Sequence, residues 1–166
     1  MRADKVYFVG FMSAGKSSLA REVGRRLDWR VEDVDDGIEE REHMSIQAIF
    51  SARGEAYFRS VERAVVEGLL GLRHAVVATG AGTFVDPELR TMIKADGAVF
   101  WIDLSLSQII DRLPRDGSRP LAASRAQLES LYASRCLAYA QAHVRLDASR
   151  ASVGGLAEQV VEWLGA

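Results

Sequence analysis

Val6-Tyr7-Phe8-Val9-Gly10-Phe11-Met12-Ser13-Ala14-Gly15-Lys16-Ser17 is the stretch that decides the fold. Four apolar residues in a row, without alternation, suit a strand covered on both faces. The eight that follow fit the spacing G-x-x-x-x-G-K-[ST]. A loop of this kind wraps backbone N–H groups around phosphate oxygens, and glycine permits the tight approach. Lys16 brings positive charge to the β- and γ-phosphates, and the Ser17 hydroxyl can ligate Mg²⁺. Residues 17–27 then read as a helix, with Leu19, Val23 and Leu27 on one face. Its positive N-terminal end points at the same anion. Strand, loop and helix in this order specify a nucleotide site and leave the acceptor open.

Working outward, the alternation repeats. Residues 29–34 read as a second strand, 38–50 as short helices, and 55–70 as a longer helix with Phe58, Val61, Val65, Val66 and Leu69 at helical spacing. Residues 75–79 form a third strand, again ending in glycine. A helix over 87–94 opens on Asp86 and Pro87, a standard start signal. Residues 98–103, 106–113, 125–139, 144–146 and 156–164 continue as strand, helix, helix, short strand and helix. The segment 114–124 is rich in Pro, Gly, Ser, Asp and Arg and reads as a loop. Strand–helix alternation of this kind predicts an α/β fold with a parallel sheet and crossover helices.

The bulk numbers fit one soluble domain spanning 1–166, with 48% apolar and 27% charged residues. A net charge of −2 argues against nucleic acid as a partner but allows a small anion held by a few arginines. The single cysteine, Cys136, excludes an internal disulfide and reads as a packed thiol. No signal-peptide pattern and no run of about 18 apolar residues is present, so the expectation is a cytoplasmic protein without a membrane span. The small size leans towards a monomer.

Three groups outside the phosphate loop carry chemistry. Asp33 and Asp35 lie at the end of the second strand, where spacing of two puts both carboxylates on one face of an extended segment. Phosphoryl transfer needs one carboxylate near Mg²⁺ and one to orient or deprotonate the attacking hydroxyl. Asp36 and Glu39 read instead as an acidic helix start. Arg59, Arg119 and Arg135 are candidates for clamping an anionic acceptor, since guanidinium forks bind carboxylate bidentately. Arg21, Arg25, Arg26 and Arg63 read as solvated surface residues. Gly80-Ala81-Gly82 would let a ligand lie against backbone N–H groups, or would simply turn the chain.

The segments GFMSAGKSS, EDVDDGIE, GEAYFRSVE, ATGAGTF, SRPL and SRCLAY occur in that order, and together they resemble the shikimate kinase family from end to end of the chain. The resemblance implies a P-loop NTPase fold similar to nucleoside monophosphate kinases. That fold is a three-layer α/β/α sandwich with a five-stranded parallel sheet and a mobile lid over about 114–125. It implies phosphorylation of the shikimate 3-hydroxyl by ATP with Mg²⁺, in aromatic amino-acid (chorismate) biosynthesis. By residue, it implies Asp35 as the base, with Lys16 and Arg119 stabilising the transferred charge. Ser13, Ala14, Gly15, Lys16, Ser17, Ser18, Arg112, Arg119 and Arg150 would bind nucleotide. Asp33, Asp35, Arg59, Gly80, Ala81, Gly82 and Arg135 would bind shikimate. Ser17 and Asp33 would serve the metal.

This chain departs from the family's pattern in three places. Ser13 stands where glycine is frequent, Ala81 replaces the middle glycine of the strand end, and no proline precedes Tyr139. A Cβ at residue 81 is costly if φ there is positive. Two rival readings stay open at this stage. One is a kinase of another small hydroxy acid such as gluconate. The other is a kinase-like domain that binds without catalysing.

Overall fold

A computed structural model describes residues 1–113 and 124–166. Residues 114–123, with Arg119 and most of the expected lid, lie outside the described residues. Five parallel strands form one sheet in the order β2-β3-β1-β4-β5. They are β1 (Lys5–Val9), β2 (Arg30–Asp33), β3 (Ala75–Ala78), β4 (Ala98–Asp103) and β5 (Val144–Asp147). The helices are α1 (Lys16–Leu27), α2 (Val34–Glu42), α3 (Ile46–Leu69), α4 (Pro87–Asp96), α5 (Leu106–Arg112), α6 (Arg125–Tyr139) and α7 (Val153–Leu164). A short 3₁₀ turn covers Thr83–Val85.

Every residue of β1 and β3 is buried, so helices cover both faces at the centre of the sheet. The two edge strands behave differently. β2 reads Arg-Val-Glu-Asp and β5 reads Val-Arg-Leu-Asp, each partly exposed, which suits charged edges better than a buried run. The core is built from β1, β3 and β4 with Leu19, Val23, Ile38, Ile49, Ile93 and Val160 from the helices. Burying each such aliphatic side chain stabilises the fold by roughly 1.5–3 kcal/mol.

Register places the site. Phe8 lies opposite Ala78, and Ala78 lies opposite Asp33. The carboxyl ends of β1, β2 and β3 therefore share one rim. From β1 the chain turns to one side of the sheet and from β3 to the other, so this rim is the crevice where ligands bind in open parallel sheets.

Helix starts separate one helix from the rest. Side chains of Asp33, Ser45, Asp86, Ser105, Ser124 and Ser152 accept backbone N–H bonds at the starts of α2 to α7. α1 begins at Gly15 with φ 99° and has no side-chain cap and no acid in its first turn. A helix start without a side-chain cap or an acid suits an external anion. α3 joins two helices across Gly54, whose φ of 82° and ψ of 174° only glycine adopts readily. This break is why the sequence periodicity starts anew at Glu55.

Opposite the crevice, Lys5 is fully buried. It donates to Asp96 Oδ2 and to the Leu69 carbonyl, both at 2.5 Å, and Tyr7 Oη donates to the same carboxylate at 2.6 Å. Burial alone would raise the Asp96 pKa, but the bonds from Lys5, Tyr7 and the Gly71 N–H hold it at about 2. The folded value lies below the unfolded one, so the unfolded chain binds more protons across that interval and stability falls as pH drops through it. Urea unfolding should therefore show stability declining from about pH 4 downwards. Asp96→Asn should be less stable at neutral pH and show a shallower acid decline. An equal decline in both would remove Asp96 from the acid response.

Candidate active site

The phosphate loop runs from the end of β1 into α1. Gly10 has φ 154° and Gly15 φ 99°, and Ser13 sits in the left-handed region at φ 60°. Serine at position 13 therefore holds a conformation that glycine adopts without cost. Lys16 Nζ donates to the carbonyls of Gly10 and Phe11 at 2.8 and 2.9 Å, which anchors the ammonium across the loop. Arg112 reaches the loop from the end of α5. Its Nη1 lies 4.0 Å from where a Cβ on Gly15 would stand. Arg150 is exposed after β5 and does not line the cavity.

Asp33 and Asp35 meet at this rim by a different route from the one their spacing suggested. β2 ends at Asp33, and Val34 already starts α2. The two carboxylates are not on one face of a strand. Asp33 caps the helix, with Oδ1 accepting from the N–H groups of Asp35 and Asp36 at 3.0 and 3.3 Å. Its other oxygen accepts from Ser17 Oγ at 2.5 Å. The cap leaves Asp33 facing the phosphate loop and carries Asp35 in the first helical turn. Burial, then the neighbouring Asp33 charge, pushes the Asp36 pKa up. Asp36 and Glu39 line the cavity as well, and Glu39 Oε2 accepts from the Ile46 N–H at 3.2 Å, tying α2 to α3.

A cavity of about 540 Å³ extends from Ser13, Lys16 and Ser17 past Asp33 and Asp35 to Arg59, Ala81, Gly82 and Arg135. Phe50 and Phe58 form its apolar wall, with ring centroids 4.6 Å apart on either side of the Gly54 break. Arg59 Nη1 donates to Glu62 Oε1 at 2.9 Å, while Thr83 Oγ1 donates to Glu62 Oε2 at 2.9 Å. Glu62 is only 1% exposed and holds the guanidinium in place. Reading the residues singly missed Glu62 and the two phenylalanines. The available signal was the spacing of three between Arg59 and Glu62 on one helix face.

Arg135 is 6% exposed, over the Phe11 ring at 5.8 Å. Burial pulls its pKa below the usual arginine range. Its Nη1 is buried with no hydrogen-bond partner among the described residues. Such a group costs free energy unless a ligand meets it.

At the end of β3, side chains occupy the space the glycines leave. A Cβ on Gly80 would fall 2.8 Å from Asp35 Oδ1, and one on Gly82 would fall 2.6 Å from both Arg59 terminal nitrogens. Ala81 is not among the residues at positive φ, so its Cβ carries no backbone strain. Cys136 is half-buried, and burial pushes its thiol pKa up, as fits a packed side chain. Arg25, Arg26 and Arg63 pair with exposed or half-exposed glutamates on the surface.

A Ser–Asp pair beside a phosphate loop is a set of hard oxygen donors. Mg²⁺ binds through one or two such groups plus substrate phosphates, so these residues fit it. Among the described residues, no group of three His, Cys, Asp or Glu side chains could hold a metal by itself. No described helix is long and apolar enough to cross a membrane.

Fold and site together define a P-loop kinase. The shikimate kinase family profile matches residues 12–165. The shikimate kinase of Sulfurihydrogenibium sp. (strain YO3AOP1) is 34% identical over 157 residues, covering 94% of this chain and 95% of that one. That of Geobacter sulfurreducens is 36% identical over 162 residues, covering 96% and 90%. The structure of shikimate kinase from Acinetobacter baumannii in complex with shikimate superposes with a TM-score of 0.92 at 28% identity, covering 97% of this chain and 92% of that one. The chain belongs to the shikimate kinase family. The fold extends further, to deoxyadenosine kinase from M. mycoides at a TM-score of 0.65 and 16% identity, a likeness of fold alone.

Proposed function

We propose that this chain transfers the γ-phosphoryl group of ATP, bound with Mg²⁺, to the 3-hydroxyl of shikimate. As a member of the shikimate kinase family it is an ATP-dependent kinase acting on shikimate. The observation that carries the acceptor class is the buried Nη1 of Arg135, unpartnered among the described residues, in the cavity that also holds Asp35 and the phosphate loop. A carboxylate oxygen satisfies that nitrogen, and Arg59 supplies the second arm of the clamp.

The residues then take these roles. Nucleotide phosphates lie on the backbone of Ser13, Ala14, Gly15, Lys16, Ser17 and Ser18, with Lys16 neutralising the transferred group. Arg112 and Arg150 serve the nucleotide's outer parts. Ser17 and Asp33 hold Mg²⁺, which neutralises phosphate charge when bound. Gly80, Ala81 and Gly82 form the acceptor's floor. Asp35 orients the hydroxyl and takes its proton as the oxygen bonds to the γ-phosphorus, while the bond to the ADP oxygen breaks. Arg119, outside the described residues, completes the charge stabilisation. Positioning and electrostatics carry most of such a reaction. The protein acts as a cytoplasmic monomer of one domain, with no nucleic-acid or membrane partner.

The first assay is ADP release from ATP–Mg²⁺ with shikimate, with gluconate and with no acceptor. The expected result is strong stimulation by shikimate alone. Stimulation by gluconate, or turnover indifferent to acceptor, overturns the acceptor assignment and leaves the phosphate loop standing. Nucleotide binding with no transfer to any acceptor would make the chain a binding module.

A further inference from the structure

We propose that Tyr139 is a positioning residue for the acceptor clamp. Its hydroxyl ties α6 to the end of β3 and so holds Arg135 in register with Arg59 and Asp35. The inference rests on the acceptor reading above.

Tyr139 is fully buried and lies one turn after Arg135, on the same face of α6. Its Oη donates to the Ala81 carbonyl at 2.5 Å, bridging 58 positions of sequence. The neighbouring carbonyls are used inside the turn. Gly80 O accepts from Thr83 N–H at 3.2 Å, and Gly82 O accepts from Val85 N–H at 3.1 Å. The Ala81 carbonyl is the one that reaches across to α6. Burial raises the Tyr139 pKa, against an opposing pull from Arg135 beside it, so the hydroxyl keeps its proton and stays a donor.

The segment it grips matters because of what leans on it. Asp35 packs against Gly80 and the Arg59 guanidinium against Gly82, closely enough that a Cβ at either position would collide. Arg59 and Asp35 are thus seated on residues 80–82, whereas Arg135 is carried by α6. The clamp has its two arms on separate elements, and the Tyr139–Ala81 bond joins them. The phosphate loop is held at its ends by β1 and α1, and it meets α6 through Phe11 rather than through the Tyr139 hydroxyl. Loss of the hydroxyl should therefore weaken acceptor binding and spare the nucleotide.

The test is Tyr139→Phe, which removes one oxygen and keeps the ring packed against Trp101, 6.2 Å away. A control, Trp101→Leu, thins the packing on that ring and leaves the hydroxyl in place. Expected for Tyr139→Phe is a KM for shikimate raised about tenfold, with kcat within about threefold and KM for ATP within about twofold, as for one hydrogen bond's share of alignment. Trp101→Leu should lower the melting temperature without changing the ratio of the two KM values. The inference fails if Tyr139→Phe leaves the shikimate KM unchanged, raises both KM values in parallel, or is matched in selectivity by Trp101→Leu. Wild-type protein assayed alongside separates the two levels. If it does not respond to shikimate, the acceptor reading fails, and the acceptor it does use takes shikimate's place in the same comparison.

Discussion

Replacing Asp35 with asparagine should lower kcat by on the order of 10²–10³-fold while ATP and shikimate affinities change only a few-fold. Asparagine keeps the shape and a hydrogen-bond acceptor, so the hydroxyl can still be oriented. What it lacks is the capacity to take the proton as the new P–O bond forms. The neighbourhood gives the reading its force. Asp33 is engaged by Ser17 and by the α2 N–H groups and faces the phosphate loop. Asp35 instead presses against Gly80 on the acceptor side of the cavity. Steady-state ADP release combined with calorimetric titration of shikimate checks the prediction. A kcat within threefold of wild type would end Asp35's role as base and leave it a binding group.

Arg135→Met should raise the KM for shikimate on the order of 10²-fold and leave the KM for ATP unchanged. A charge-assisted pair to a carboxylate inside a desolvated pocket contributes about 2–3 kcal/mol, and 1.4 kcal/mol is tenfold. The same substitution should not destabilise the free protein. Arg135 is buried, its pKa is lowered chiefly by desolvation, and one terminal nitrogen is unsatisfied. Replacing that charge with an apolar chain of similar length removes a cost and keeps the contact with Phe11. A melting temperature equal to or above wild type, together with lost acceptor affinity, is the signature of a group retained for function. A lower melting temperature with unchanged shikimate KM would instead make Arg135 a structural residue.

Much of this site is legible in the sequence because it is local. The phosphate loop is twelve consecutive residues with its strand, and the Asp86-Pro87 start marks α4 to the residue. Leu106 and Arg125 begin their helices where periodicity put them. Asp33 and Asp35 were found for a reason that the structure replaces. A strand over 29–34 would set the two carboxylates on one face, but Asp33 can cap a helix through its own side chain, and that local bond ends β2 early. The concern over Ala81 also dissolves, since its φ is not positive and what the flanking glycines admit is Asp35 and Arg59.

The sequence by itself determined the phosphate loop, the strand–helix alternation, and the residue types an anionic acceptor would need, because each depends on neighbours within a few residues. Only the tertiary structure decided that Thr83 anchors the buried Glu62 behind Arg59, that Arg135 is buried with a nitrogen to spare, that Phe50 and Phe58 wall the cavity, and that Tyr139 reaches Ala81. Those contacts join residues brought together by sheet register, helix packing and the Gly54 break. Burial and partnership are properties of the packed chain, and no spacing along the sequence encodes them.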